Sequence, residues 1–422
     1  MCTPNPYNPL FLCLFMRKFS TRKSFLSPDL CDWNGLRVRP KGKIRIWDET
    51  LRDGMQQVGV FLTKEKRVAL ARKLDEVGVS FIDAGMPMVS REEVLAVRAV
   101  NRGHLNAKVM CAVRTLKADV DSALDADCSS ISTFVSCSLP RLTRDYKKSI
   151  EELSEDVVEV IEYSKEHGLM VAFVSEDTTR SHPRNIKILH EGAEKAGADM
   201  HIISDTVGSA TPEGIHNLFR FLKTLKIKHP FAFHGHNDLG LAVINAIAAS
   251  EEGCHIHHTT VLGMGERAGN TPFEELIMNL HLRGWNHAIK LEKMQELAAL
   301  VSRAYGIPIP PNMPIVGENA YKHDSGIHVS GIMACGIEIY SAFHPETVGR
   351  HAEIVLGKGC GASNILCHRP TLDKETAALV AQRVKEKSYE RGKRGKRAMV
   401  ELRELDGIIE KAKRETMKRK LK

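Results

Sequence analysis

His234 and His236 stand one residue apart, and no other pair in the chain is as specific chemically. If residues 231–234 form a β-strand, positions i and i+2 project to one face, and both imidazoles converge on one point. A carboxylate brought in from another strand would complete a two-histidine, one-carboxylate set. Such a set holds a divalent cation and leaves positions open for substrate. Asp53 can supply the carboxylate, because it lies in the polar run Asp48-Glu49-Thr50-Leu51-Arg52-Asp53-Gly54 that follows another β-type stretch. Arg52 beside it would stabilise negative charge developing on a carbonyl oxygen. Asn270, at the end of Gly263-Met264-Gly265-Glu266-Arg267-Ala268-Gly269-Asn270, is a candidate further ligand through its side-chain carbonyl. The competing readings are structural: a surface ion pair for Arg52 and Asp53, and ordinary core or surface histidines for the pair.

The elements that must position these groups can be counted. Eight β-type runs fall at residues 43–47, 80–83, 108–113, 130–135, 170–174, 200–203, 231–234 and 255–261. Segments with helical spacing lie between them; Val68, Ala71, Leu74 and Val77 form one apolar stripe. Eight strand–helix units over about 240 residues predict an α/β fold, a closed (β/α)8 TIM barrel. An open sheet is the alternative, but no G-x-G-x-x-G follows the first run. In a barrel the chemistry gathers at the C-terminal strand ends. Here the second run ends in Asp83, the third in Arg114, the fifth in Ser175-Glu176-Asp177 and the sixth in Asp205-Thr206. His255, His257 and His258 are expected at the start of the eighth strand, the end that serves stability, and so to be structural.

The predicted organisation is a leader at 1–42, a catalytic barrel at 43–287, a helix and proline-rich linker at 288–315, and a smaller, mainly helical region at 316–422 with a basic tail. The linker contains Gly306-Ile307-Pro308-Ile309-Pro310-Pro311-Asn312-Met313-Pro314, which cannot be helical because each proline removes a donor. The leader reads as disordered, with an organelle address as the alternative, and folding is expected to begin near Lys43.

Composition narrows the class. A chain of 422 residues with 43% hydrophobic content can bury a large core. The net charge of +8 gathers partly around residues 391–397 and 411–422, where Tyr389 is the one nearby aromatic. A solvated helix face is the expected reading there, and nucleic-acid binding by stacking has little support. Ten cysteines without a C-x-x-C pair argue against a structural zinc site or a disulfide framework, and for a reducing cytoplasm. No run of eighteen apolar residues predicts a membrane span.

With these motifs together the sequence resembles the DRE-type TIM-barrel metallolyases. The carriers are the Asp48–Gly54 run, His234-Gly235-His236-Asn237-Asp238-Leu239-Gly240 and Gly265-Glu266-Arg267-Ala268-Gly269-Asn270. The run from Val316 to Gly331, which includes Ser325-Gly326-Ile327-His328, is similar to the Claisen-condensing branch of 2-isopropylmalate, homocitrate and citramalate synthases. So are Tyr340 and His344-Pro345-Glu346-Thr347-Val348-Gly349-Arg350.

The resemblance implies an acyltransferase that condenses acetyl-CoA with an α-keto acid and then hydrolyses the thioester. It implies a divalent metal (magnesium, manganese or zinc) on Asp53, His234 and His236, with Asn270 as a further ligand. Arg52 would stabilise the enolate and alkoxide, and Thr206 and Arg114 would take the keto acid's carboxylate. Glu176, His328 and Tyr340 would serve the acid–base steps, His328 and Tyr340 coming from the partner subunit of a homodimer. Asp83 stands where relatives usually carry glutamate and would help set keto-acid choice.

Some positions depart from the pattern. Met55 replaces a usual glutamate in Arg52-Asp53-Gly54-Met55-Gln56, and Ser136-Cys137-Ser138-Leu139-Pro140 lacks a histidine common after the fourth strand. Gly359-Cys360-Gly361 differs as well. With no regulatory domain after the second region, a short-form synthase is expected. The rival reading is carbon–carbon cleavage, as in hydroxymethylglutaryl-CoA lyase or an aldolase, which would lack the Ser-Gly-Ile-His run. A non-catalytic binding role would be favoured by loss of a metal ligand, and none is lost.

Overall fold

The computed structural model describes residue 40 and residues 42–420, so the expected leader falls almost wholly outside the described residues. Eight parallel strands close in chain order. They are β1 (Arg45–Asp48), β2 (Phe81–Asp83), β3 (Lys108–Arg114), β4 (Ser130–Ser136), β5 (Met170–Glu176), β6 (Met200–Asp205), β7 (Phe231–Gly235) and β8 (Ile256–Thr259). One helix follows each in turn: α1 (Lys64–Val77), α2 (Arg91–Asn101), α3 (Lys117–Asp125), α4 (Ile150–Glu166), α5 (Pro183–Lys195), α6 (Pro212–Leu222), α7 (Ala242–Glu251) and α8 (Phe273–Leu282). This is the (β/α)8 TIM barrel the element count predicts.

Alternation along the strands explains why the barrel is solid below and open above. Inward-facing Trp47, Phe81, Met110, Met200, Ile202 and Ile256 fill its base. Each such side chain contributes about 1.5–3 kcal/mol through burial. Continuing in the same phase, the inward positions change character: Asp83 on β2, Ala112 on β3, Ser132 on β4, Ser204 on β6, His234 on β7 and His258 on β8. Small and polar residues there leave a cavity at the C-terminal mouth.

The helices follow from their own sequences. In α1 the residues Leu70, Ala71, Leu74 and Val77 are buried on one stripe, and Thr63 caps the first turn by accepting from Lys66 N. Helix α4 starts with a reciprocal capping box between Ser149 and Glu152.

One boundary differs from expectation with consequence. Strand β8 stops at Thr259, because Val261–Gly263 forms a tight turn and Thr260 bridges to Pro272. His258 is therefore the penultimate residue of the strand, at the functional end and not at its start. His257 keeps the expected structural role, buried with its Nε2 2.6 Å from Ser250 Oγ.

After the barrel, α9 (Met294–Tyr305) donates the Tyr305 hydroxyl to Thr50 O. Residues 306–320 form neither helix nor strand, as the prolines dictate. The described chain divides into two compact units; one runs to Ile309 and takes in Pro314–Val316, the other holds Pro310–Met313 and the chain from Gly317 onward. The second unit has its own apolar core, including Leu356, Ile365, Val380, Val384, Leu405 and Ile409. Its last helix, Leu402–Lys420, buries Leu405, Ile409 and Ala412. Arg383 pairs there with Glu415 at 2.7 Å and Arg391 with Glu404 at 2.8 Å.

Candidate active site

His234 and His236 leave β7 on the same side, and their Nε2 atoms lie 3.2 Å apart. Asp53 Oδ2 is 3.5 Å from His234 Nε2 and 3.8 Å from His236 Nε2. All three side chains are buried. Asn270 completes the cluster from the loop after β8, where it forms an isolated bridge with His236. Its Nδ2 donates to Asp53 Oδ1 and to Met264 O, each at 3.1 Å. Two glycines permit this loop. A Cβ on Gly269 (φ +83°) would lie 1.8 Å from Gly263 O, and one on Gly265 (φ +151°) 2.2 Å from Asn270 Nδ2.

These residues fit a divalent cation. Burial pushes the Asp53 carboxyl up, but the Arg52 guanidinium, helped by the hydrogen bond from Asn270, outweighs it and holds the group below the usual carboxylate range. Burial likewise keeps both imidazoles below their ordinary pKa and so neutral, the form that offers a lone pair. Asn270 Oδ1 and His236 Nδ1 are buried without a hydrogen-bond partner. An orphaned carbonyl oxygen beside two nitrogens and a carboxylate is what a cation would satisfy.

Arg52 sits against this cluster in a cage of carboxylates. It contacts Asp53 Oδ2 through Nη1 at 2.9 Å and Asp83 Oδ2 through Nε at 3.3 Å, and it pairs with Glu49. Burial works against its charge, yet Glu49, Asp53 and Asp83 more than offset that and raise its pKa above the ordinary range. A fixed cation results, facing a cavity of about 200 Å³ that Arg52, Asp53, Glu176, Thr206, His234 and His258 help to line.

The remaining candidates fall in different places. Glu176 ends β5 with its pKa raised by burial, a shift opposed by Arg141, whose Nη2 is 3.8 Å from Glu176 Oε1. Thr206 follows β6 and accepts from Asp177 N at 2.8 Å. Asp83 is wholly buried under Arg52 and is not part of the cavity wall. Arg114 is held 2.8 Å from Asp119 and lines an adjoining cavity instead, one that shares Phe134 and Glu176 with the first. In the C-terminal unit, the rings of His328 and Tyr340 stack with centroids 4.1 Å apart.

Sequence reasoning did not single out Glu49 or Arg141, and it read His258 as structural. His258 was legible in principle, since it shares the parity of Ile256; Arg141 follows the segment where a histidine was missed.

Residues 43–301 match the family model described as HMGL-like, and residues 315–391 the one described as homocitrate synthase post-HMGL domain-like. A homocitrate synthase of Methanocaldococcus jannaschii is 41% identical over 81% of this chain and 86% of its own length. A probable 2-isopropylmalate synthase of Ignicoccus hospitalis is 40% identical, over 87% and 92% respectively. Among solved structures, the HMG-CoA lyase of Bacillus subtilis is similar in fold, with a TM-score of 0.59 at 20% identity over 65% of this chain and 98% of that one.

Proposed function

The chain belongs to the HMGL-like family and at residues 315–391 matches a model described as homocitrate synthase post-HMGL domain-like, and from that premise we propose that it condenses acetyl-CoA with an α-keto acid. The observation that carries this reading is the buried donor set Asp53, His234, His236 and Asn270 with the caged Arg52 beside it. The post-HMGL match and the synthase relatives favour condensation over cleavage.

A magnesium, manganese or zinc ion held there would polarise the keto oxygen as a Lewis acid. The chain's own residues do the rest. Thr206, on the cavity wall, binds the keto acid's carboxylate end. Arg52 cannot lose its proton, so its charge stabilises the oxygen as it becomes negative. A base takes a proton from the acetyl methyl group, and the resulting carbon nucleophile attacks the keto carbon. The new alkoxide takes a proton, and water cleaves the thioester to release CoA thiol. Glu176, with its raised pKa, suits a proton-transferring role at the cavity edge. His328 and Tyr340 would complete the acid–base set from the second subunit of a homodimer. Asp83 would act on keto-acid choice through Arg52, and Arg114 on the entry from the adjoining cavity. We place this activity in the cytoplasm, a reading supported by seven free cysteines among the described residues. Among those residues no helix is long and apolar enough to cross a membrane.

The test is direct. Purified protein with Mg²⁺ or Mn²⁺ and acetyl-CoA receives pyruvate, 2-oxoisovalerate or 2-oxoglutarate, and free thiol is followed. Thiol release with one of the three is expected; none with any would overturn the proposal.

A further inference from the structure

Behind the metal donors lies a residue pair that the reaction above leaves unused. Glu49, just beyond β1, is 1% exposed, and His258 on β8 is 4% exposed. His258 Nδ1 lies 2.6 Å from Glu49 Oε1 and 3.3 Å from His234 Nδ1. Glu49, His234 and His258 thus form a second cluster of metal-ligating types sharing His234 with the first.

Spacing separates the two clusters. Two donors on one cation, each about 2.0–2.2 Å from it, lie roughly 3 Å apart or more. The separations around Asp53, His234 and His236 are 3.2, 3.5 and 3.8 Å, which leaves room for an ion. The 2.6 Å contact between Glu49 and His258 is instead that of a charge-assisted hydrogen bond, with a proton between the atoms. The second cluster is therefore a support for the first and not a second metal site.

We propose that Glu49 and His258 are positioning residues. They hold His234 from its Nδ1 side, so that Nε2 faces Asp53 and His236, and they couple that imidazole to Arg52 through the Glu49 carboxylate. The inference rests on the metal reading of Asp53, His234 and His236. Packing leaves the rings little freedom: Trp47 stacks on His258 with centroids 4.6 Å apart and 20° between planes. His234 stands at 90° to His258 at 5.3 Å. The strands involved are neighbours, because β8 pairs with both β1 and β7. Glu49 also pairs with Arg52, so one buried carboxylate braces the cation and, through His258, the ligand. Because His258 Nδ1 is committed to Glu49, it restrains His234 by close contact and ring packing and not by accepting its Nδ1–H; losing a group that orients a ligating histidine typically costs about 10–100-fold in metal affinity or activity.

The experiment measures Mn²⁺ binding by calorimetry on the full chain, beside kcat as a function of Mn²⁺. His258→Phe should weaken Mn²⁺ binding about 10–100-fold and regain most of its kcat at saturating Mn²⁺. His258→Asn, which keeps a polar atom where Nδ1 stands, should restore most of the affinity. Glu49→Gln should lose affinity and also kcat at saturation, because Arg52 loses a partner. If His258→Phe fails to fold by circular dichroism, the near-isosteric Glu49→Gln and His258→Asn variants carry the comparison. Wild-type Mn²⁺ affinity in both His258→Phe and Glu49→Gln, or in Glu49→Gln alone where His258→Phe does not fold, overturns the inference. Wild-type protein that binds no Mn²⁺ overturns the metal reading itself, and the inference with it.

Discussion

Asn270 and Asp53 lie 217 residues apart in the chain and meet at 3.1 Å, the amide of one donating to the carboxylate of the other. The bond orients both: Asp53 keeps Oδ2 toward the two histidines, and Asn270 keeps an unpartnered Oδ1. It forms only because the loop after β8 folds back on itself through Gly265 and Gly269.

The first prediction concerns that loop. Gly269→Ala places a methyl 1.8 Å from Gly263 O at a φ of +83°, so the backbone must move. We expect a lower melting temperature and at least tenfold weaker Mn²⁺ binding. Asn270→Ala, which creates no clash, should weaken Mn²⁺ binding while costing only about 1–3 kcal/mol of stability in urea unfolding. Unchanged metal affinity in both would remove Asn270 from the site.

Asp83 offers a second test. Its carboxyl is wholly buried, and burial and then Glu49 push its pKa well above the ordinary range, against the pull of Arg52. Asp83→Asn keeps the shape and weakens the cage that aims Arg52. Turnover should fall with the fold intact, at a stability cost of about 1–3 kcal/mol, since Arg52 retains two carboxylates. A turnover number equal to wild type would mean that Arg52 needs no third partner.

Substrate binding should separate Thr206 from Arg114. Thr206 lines the central cavity, whereas Arg114 is bound to Asp119 and faces the neighbouring one. Thr206→Val should raise the KM for the keto acid by about tenfold, equivalent to about 1.4 kcal/mol. Arg114→Ala should leave that KM near wild type. The reverse result in steady-state kinetics would return the carboxylate site to Arg114.

Acid should destabilise the barrel through a histidine pair that does not line the central cavity. His190 and His201 are buried between β6 and α5, with their Nδ1 atoms 3.0 Å apart. Burial lowers His190 well below its usual pKa and takes His201 down to about 4, although Glu194 opposes the latter. The folded state thus binds fewer protons than the unfolded chain, so their contribution is complete above the ordinary histidine pKa. It is lost as the pH falls from about 6.5 toward 4. Melting temperature should drop across this window, and less steeply in His201→Gln. Equal slopes in the two proteins would show that other groups govern acid unfolding.

Strand order, helix stripes and the converging histidines were legible in the sequence because each depends on local periodicity. Two residues at i and i+2 share a face in any strand, so His234 and His236 needed no tertiary information. Asp53, Arg52 and Asn270 were legible because a barrel gathers its strand ends at one mouth. What the chain could not reveal locally is how the closed barrel sets β8 against β1 and where each strand stops. The pairing of His258 with Trp47 brings that histidine to Glu49, and the early end of β8 lifts it to the cavity. Arg114 shows the opposite case. It is in phase with inward-facing Ala112, yet Asp119, on the helix that follows, captures it at the mouth. Periodicity decides which face a side chain leaves from; which charged neighbour meets it there is decided by the folded barrel, whether that neighbour is distant in the chain, as Glu49 is from His258, or only five residues on, as Asp119 is from Arg114.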